Sequence, residues 1–396
     1  MPNQVTQEDW QKLDERVHNS QLAVAALNYF GMNLLRAVAH DKQGQNVFLS
    51  PLSVFLALAM TEGGSAGSTR AAMRKTLGLP EREAAVLNES MDALQRVLSM
   101  PGGAQLLSAN ALWTAAKAPV SPEFVIIAEA VFRAHAASLA FTNPNAAKQI
   151  NAWVSEQTNG KIPEIVTPDM VRSAVVILTN AVYFAGKWHS PFAKTDTHDE
   201  PFHHADGTTK TVSKMVPRMV PMMRHPDLKL AYRAGEYFEG AALRYQASSM
   251  YFYALLPDKG KSPGDVLARL DPAKLNASGE YDVDLKLPRF SLDFGSSLAS
   301  YLKTLGMDVA FHHPEADFRP MGSELLFISD VIHKTRLEVD EEGTVAAAAT
   351  AVLMGAGAGM PKPREKKILV FDRPFVVVIS DARTGALLFA GSIEQP

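Results

Sequence analysis

Apolar residues recur at helical spacing from Ser20 to His40. Leu22, Ala25, Leu27, Phe30, Leu34, Leu35 and Val38 share one side, which predicts an amphipathic helix. Ser50-Pro51 opens a second helix through Leu56 and Leu58, because a first-turn position needs no N–H from proline. Gly63-Gly64 ends it. Thr69 to Leu77, Ala84 to Leu98, Pro122 to Ala137 and Asn145 to Gln157 read as further helices, the last stopped near Gly160. Leu106 to Trp113 between them is strand-like. Ala174 to Phe184 is rich in β-branched and aromatic residues and predicts a buried strand. From Thr209 onward short strand-like runs dominate: Tyr251 to Leu256, Tyr281 to Leu287, Leu325 to Ile328, Ile368 to Val370, Phe375 to Ile379 and Ala386 to Ala390. Thr384-Gly385 predicts a hairpin turn between the last two. Helices come first and strands later, which predicts an α+β fold with segregated elements. With no linker, repeat or composition break, residues 1–396 read as a single domain.

Composition narrows the function classes. Of 396 residues, 47% are hydrophobic and 20% charged, as in a globular chain with a large core. Lysine plus arginine is 39 against 42 acidic residues, a net charge of −3, so bulk charge recruits neither nucleic acid nor an anionic membrane. There is no cysteine, which removes disulfides, thiol nucleophiles, iron–sulfur clusters and cysteine zinc sites together. Met1 to Trp10 is polar and shows no signal-peptide core, as expected of a cytoplasmic chain or of a secreted one whose signal is removed. No uninterrupted apolar run reaches about 18 residues, so no membrane span is expected.

Conventional catalysis finds little support. Gly63-Gly64-Ser65-Ala66-Gly67 has the spacing of a hydrolase nucleophile elbow, but that turn needs a strand before it, and the helical run Phe55 to Met60 stands there. His198, His203, His204, His312 and His313 lack the His-to-His i,i+4 spacing of a zinc helix and read as exposed loop residues. Glycine-rich phosphate loops are absent, so no enzyme, metal or cofactor is expected. Lys362, Arg364, Lys366 and Lys367 read as a solvated lead into a strand, with a docking patch for an acidic partner as the alternative.

One segment fits none of these classes. After Asp340-Glu341-Glu342-Gly343, the stretch Thr344 to Gly359 reads TVAAAATAVLMGAGAG, without charge or proline. Taken as a strand, one face carries Thr344, Ala346, Ala348, Thr350, Val352 and Met354, and the other carries Val345, Ala347, Ala349, Ala351 and Leu353. Both faces suit a buried central strand. Yet acidic residues precede it, and glycines and prolines close it, as in an exposed loop. A segment suited to both states predicts movement between them, and alanine loses almost no side-chain entropy on burial.

These residues resemble the serpin, or serine protease inhibitor, family over nearly the whole chain. Asn46-Val47-Phe48-Leu49-Ser50-Pro51-Leu52-Ser53 and the turn Gly63 to Thr69 are similar to the start of its second helix and the turn after it. Asn151-Ala152-Trp153-Val154 and Thr158-Asn159-Gly160-Lys161-Ile162 resemble the helix that crosses its main sheet, and the exit from it. Thr179 to Trp188 resembles a central strand of that sheet. Leu287-Pro288-Arg289-Phe290, Leu305-Gly306-Met307, His333-Lys334, Glu341-Glu342-Gly343-Thr344 and Phe371-Asp372-Arg373-Pro374-Phe375 complete the set.

The resemblance implies helices packed around a large central mixed sheet A, two smaller sheets and an exposed reactive-centre loop, residues 343–364. It implies an irreversible suicide substrate: a protease cleaves the bait loop, which then inserts as a strand into sheet A and traps the acyl-enzyme. About 14 inserted residues at roughly 3.3 Å each carry the enzyme about 45 Å. The implied hinge is Glu341, Gly343, Thr344 and Ala346, Ala347, Ala348 and Ala349. Ser50, Ser53, Asn180 and His333 are implied as the shutter where the sheet parts, and Trp188 as the breach residue. Counting from Gly343 puts the reactive bond at Gly357-Ala358, with Leu353, Met354, Ala356 and Met360 as alternates. Small or apolar bait residues suit an elastase-, subtilisin- or chymotrypsin-like partner better than a trypsin-like one. A monomer with a loop–sheet polymerisation hazard is implied, with no nucleic acid and no membrane. The rival within the family is a non-inhibitory binding module or chaperone.

Overall fold

The computed structural model describes residues 7–100, 102–205, 215–276, 280–323, 325–344 and 366–396. In chain order the first elements are α1 (Gln7–Asp41), β1 (Val47–Leu49), α2 (Pro51–Gly63), α3 (Gly67–Leu77), α4 (Ala84–Leu98), β2 (Ala104–Ala115), α5 (Pro122–Phe132), β3 (His135–Leu139), α6 (Ala146–Gln157), α7 (Pro168–Arg172) and β4 (Val176–Lys187). There follow β5 (His198–Ala205), β6 (Met215–Gly235), β7 (Phe238–Arg244), β8 (Met250–Pro257), α8 (Pro263–Arg269), β9 (Glu280–Pro288), β10 (Phe290–Ser297), α9 (Ala299–Leu302), β11 (Ile328–Val339), β12 (Gly343–Thr344), β13 (Lys367–Val370), β14 (Phe375–Asp381) and β15 (Leu387–Ile393). The α+β order expected from the sequence holds.

A six-stranded mixed sheet runs β10-β11-β4-β2-β3, with β12 attached to β4. This is sheet A. The remaining strands form two smaller, largely antiparallel arrays joined through β6 into one nine-stranded sheet. β4 shows why sheet A is apolar throughout. Val176, Leu178, Val182 and Phe184 enter the main core, and Ile177 and Ala181 enter a second core on the opposite face. α6 covers that second face with Ile150 and Val154. Helix α2 backs the first face and is buried from Pro51 to Glu62, as an all-round apolar helix must be. Ser50 caps it: the Ser50 hydroxyl accepts from the Ser53 N–H. α1, from Gln11, is long and apolar enough to span a membrane, and it buries Leu27, Phe30, Leu34, Leu35 and Val38 in the core.

Several expected boundaries move. The helix expected over Pro122 to Ala137 stops at Phe132, where Arg133 turns left-handed at φ 52°, and His135–Leu139 becomes strand β3 beside β2. The run Leu325 to Ile328 is not a strand; β11 starts at Ile328 and continues to Val339. The strands β1, β5, β6, β7 and β10 were not foreseen. His198, His203 and His204 lie in β5, not in a loop, because β5 pairs along β6. Ser65 follows helix α2, not a strand. Its hydroxyl is buried and donates to the Glu62 carbonyl at 2.6 Å, so it cannot serve as an exposed nucleophile.

Candidate functional site: the seam of sheet A

β4 and β11 pair in parallel from Val176↔Ile328 to Tyr183↔Arg336. Beyond that rung the two strands pair with each other no further. There the hinge is seated. Gly343 pairs with Lys187 and Thr344 with Gly186, antiparallel to β4. The seat is close: a Cβ on Gly343 would stand 2.1 Å from the Gly186 carbonyl oxygen. Gly343 is therefore required by approach of two backbones.

The sequence around the seat explains its shape. Asp340 turns the chain: its carboxylate accepts from the N–H groups of Glu342 (2.8 Å) and Gly343 (3.0 Å). Glu341 is buried, and its carboxylate accepts from the Thr197 hydroxyl at 2.8 Å and faces Arg289 at 3.5 Å. Glu342 pairs with Lys194 at 2.6 Å, which raises the lysine's pKa. Thr344 is fully buried, and its hydroxyl meets that of Tyr245 at 2.7 Å. Burial drives the Tyr245 phenol above its usual range, so it stays protonated as a hydrogen-bonding group. Trp188 stacks on Tyr245 with ring centroids 4.9 Å apart, and its indole N–H donates to the Asp340 carbonyl at 2.9 Å. The expected breach residue and the described part of the expected hinge thus meet in one cluster. Ala346 to Ala349, Leu353, Met354, Ala356, Gly357, Ala358 and Met360 lie outside the described residues.

The four expected shutter residues also meet, in the middle of the seam. His333 of β11, Asn180 of β4 and Asn110 of β2 form one row across three strands. The Ser50 N–H donates to His333 Nε2 at 3.1 Å, so Nδ1 carries the proton and donates to Asn180 Oδ1. The Asn180 amide donates onward to Ser53 Oγ and Asn110 Oδ1. Ser53 Oγ donates to Asn110 at 2.7 Å and lies 3.1 Å from Ser108 Oγ. Ser50 Oγ donates to the Leu388 carbonyl at 2.9 Å. His333 is fully buried, and burial lowers its pKa to about 3, which keeps it neutral. The row holds β2, β4 and β11 together over α2.

Sequence reasoning missed Asn110, Ser108 and Tyr245. Asn110 and Ser108 had a signal: two polar residues at period two inside an otherwise apolar strand. Tyr245 had none, because its partner Thr344 is 99 positions away in the chain.

Chain-wide comparisons match this arrangement. The family model described as Serpin (serine protease inhibitor) matches residues 25–396. An uncharacterized serpin-like protein of Thermococcus kodakarensis is 36% identical over 94% of this chain and 85% of its own length. The leukocyte elastase inhibitor of Homo sapiens is 32% identical over 93% of this chain and 97% of its own. The native-state crystal structure of the thermophilic serpin Tengpin superposes with a TM-score of 0.82 at 28% identity, covering 100% of this chain and 96% of that one. A parted seam with a seated hinge, a polar row across it and a match along nearly the full length lead to one conclusion: this chain belongs to the serpin family of serine protease inhibitors.

Proposed function

We propose that this chain is an irreversible suicide-substrate inhibitor of serine proteases, working by insertion of its cleaved loop into sheet A. The observation that carries the proposal is the antiparallel pairing of Gly343-Thr344 with Gly186-Lys187. That pairing is the first rung of a strand lying between β4 and β11. A strand entering there runs antiparallel to both neighbours, so one parallel ladder becomes two antiparallel ones, the more stable pairing per residue. The residues that follow Thr344 include Ala346, Ala347, Ala348 and Ala349, which fit a buried strand without charge or bulk. Cleavage within the loop, residues 343–364, frees that strand, which the segment from Gly343 up to the cut supplies.

The reactive bond proposed is Gly357-Ala358, read by a protease with a small or apolar pocket. The relatives named leukocyte elastase inhibitor support an elastase-like partner. Subtilisin- and chymotrypsin-like enzymes suit the alternates Leu353, Met354 and Met360. The working form is a monomer, and the same open seam exposes it to loop–sheet polymerisation.

The test is incubation of the intact chain with elastase, subtilisin, chymotrypsin and trypsin. An SDS-stable complex with one of the first three, and a released peptide whose mass begins at Ala358, are the expected results. Cleavage without any stable complex, and without a rise in thermal stability, overturns inhibition in favour of a binding module.

A further inference from the structure

The segment that leaves α6 crosses the mouth of the seam. Thr158 and Ile162 are buried and anchor it: the Thr158 hydroxyl donates to the Val154 carbonyl at 2.8 Å and accepts from the Ile162 N–H at 3.2 Å. Between these anchors Asn159 and Gly160 turn left-handed, at φ 51° and 74°, and bring Lys161 onto sheet A. Its ammonium lies 5.2 Å from the centre of the Tyr183 ring, on β4. It also lies 3.8 Å from the Glu338 carboxylate, on β11. Lys161 thus touches both strands that bound the seam.

The level of this contact along the seam decides what it can do. Tyr183↔Arg336 is the last rung that β4 and β11 share, and Glu338 follows Arg336 by two residues, on the same face. The ammonium therefore sits where the closed ladder ends, ahead of the seat of Gly343 and Thr344. Both of its partners are fixed. Arg336 pairs with Glu338 at 2.7 Å and with Asp293 of β10 at 3.2 Å. Tyr183 is buried, and burial raises its pKa to about 12, so it offers Lys161 a neutral ring.

We propose that Lys161 is a clasp across the mouth of the seam and a positioning residue that sets how fast a strand enters sheet A. The proposal deepens the insertion mechanism and rests on it. A strand entering between β4 and β11 moves them about 4.8 Å further apart. An ammonium held to both then keeps one partner at most. The contact is present in the resting chain and lost once the mouth has parted, so it slows entry. Its size is modest, because the Lys161 side chain is 37% exposed. A cation–π contact and a part-exposed ion pair together change the rate about fivefold.

A synthetic peptide of residues Val345 to Ala356, incubated with the intact chain, reads strand entry without any protease, and native gels follow its uptake. Lys161→Met keeps the apolar stem and removes the charge, and is expected to take up the peptide about fivefold faster. Lys161→Arg keeps a cation over the ring and is expected to restore the original rate. Glu338→Gln speeds uptake in the original chain and adds nothing to Lys161→Met, whereas independent structural effects add. An unchanged or slower rate in Lys161→Met overturns the clasp. So does a failure of Lys161→Arg to restore it, a full extra effect of Glu338→Gln, or an intact chain that never takes up the peptide. Uptake that follows this pattern in a chain that traps no protease refutes the inhibitory reading and leaves the clasp standing.

Discussion

Thr344→Arg puts a charge where the loop begins to enter. Thr344 is fully buried, with its hydroxyl on Tyr245 and Trp188 stacked behind that ring. The carboxylate of Glu341 is already held by Thr197 and Arg289, so no free acid waits for the new guanidinium there. An uncompensated buried ion costs several kcal/mol even after relaxation. At about 4 kcal/mol the seated hinge becomes about a thousandfold less populated. Every later residue must follow through this seat, so insertion falls behind hydrolysis of the acyl-enzyme. The variant is expected to fold, to be cleaved at the same bond, and to be released. Thr344→Val makes the graded control: it keeps the shape but leaves the Tyr245 hydroxyl unpaired, at about 1–3 kcal/mol. The assay is the yield of SDS-stable complex per mole of inhibitor cleaved. An undiminished yield from Thr344→Arg refutes the claim that this seat starts insertion.

Gly343→Ala places a methyl group 2.1 Å from the Gly186 oxygen and 2.7 Å from Lys187 Cα, both backbone atoms that cannot yield cheaply. The hinge is expected to leave its seat, with a red shift in Trp188 emission against a Trp188→Phe reference; an unchanged spectrum contradicts the packing described. Trp188→Phe itself removes the donor to the Asp340 carbonyl and part of the stack on Tyr245, and should lower urea-unfolding stability by about 1–3 kcal/mol. For pH, His333 has its pKa lowered by burial to about 3, from 6.5 when unfolded. Between those values the unfolded chain binds a proton the folded chain refuses, so stability is full above pH 6.5 and falls by about 1.4 kcal/mol per unit as pH drops. Glu394, pushed up to about 7 by burial, works in the opposite sense between 7 and 4.5. The comparison with His333→Gln isolates the first effect: its slope between pH 5 and 6.5 should lose one proton's worth, and an unaltered slope counts against a neutral shutter histidine.

How much of this was readable in the sequence depends on the distance between partners. α4 appears at its expected bounds, Ala84 to Leu98, because its signal is local periodicity. β4 was readable because both of its faces are buried, which leaves a run of apolar residues. β11 was not. It carries Asp330, His333, Lys334, Arg336 and Glu338, which resemble a loop until their partners appear. Lys334 donates to the Glu164 carbonyl, Arg336 pairs with Glu338 and Asp293, and His333 enters the shutter. The overrun of α5 has a local cause: Ala134, Ala136 and Ala137 favour helix by propensity, and pairing with β2 overrides it. Ser50, Ser53, Asn180, Trp188 and His333 were named from resemblance. What the sequence left hidden was their arrangement, above all that Asn110 completes the row and that Tyr245 meets Thr344.

Under the proposed insertion mechanism, the placement of these groups sets an order of events along the seam. The hinge sits at the open end, against Gly186 and Lys187. The first closed rung is Tyr183↔Arg336, followed by Val182↔Thr335 and Ala181↔Lys334. Only then comes Asn180↔His333, where the polar row crosses. A strand entering from the hinge therefore replaces three ordinary parallel rungs before it meets the shutter. Early insertion exchanges weaker pairing for stronger and needs no rearrangement of buried polar groups. At the fourth rung it must separate His333 from Asn180, and each group left unpaired in the core costs about 1–3 kcal/mol until it is paired again. The shutter is thus an inner barrier and the hinge seat an outer one. With no cysteine in the chain, no covalent bond backs either of them. On that mechanism, a resting chain held by one short ladder and one polar row waits intact, and a single cut outside both releases it.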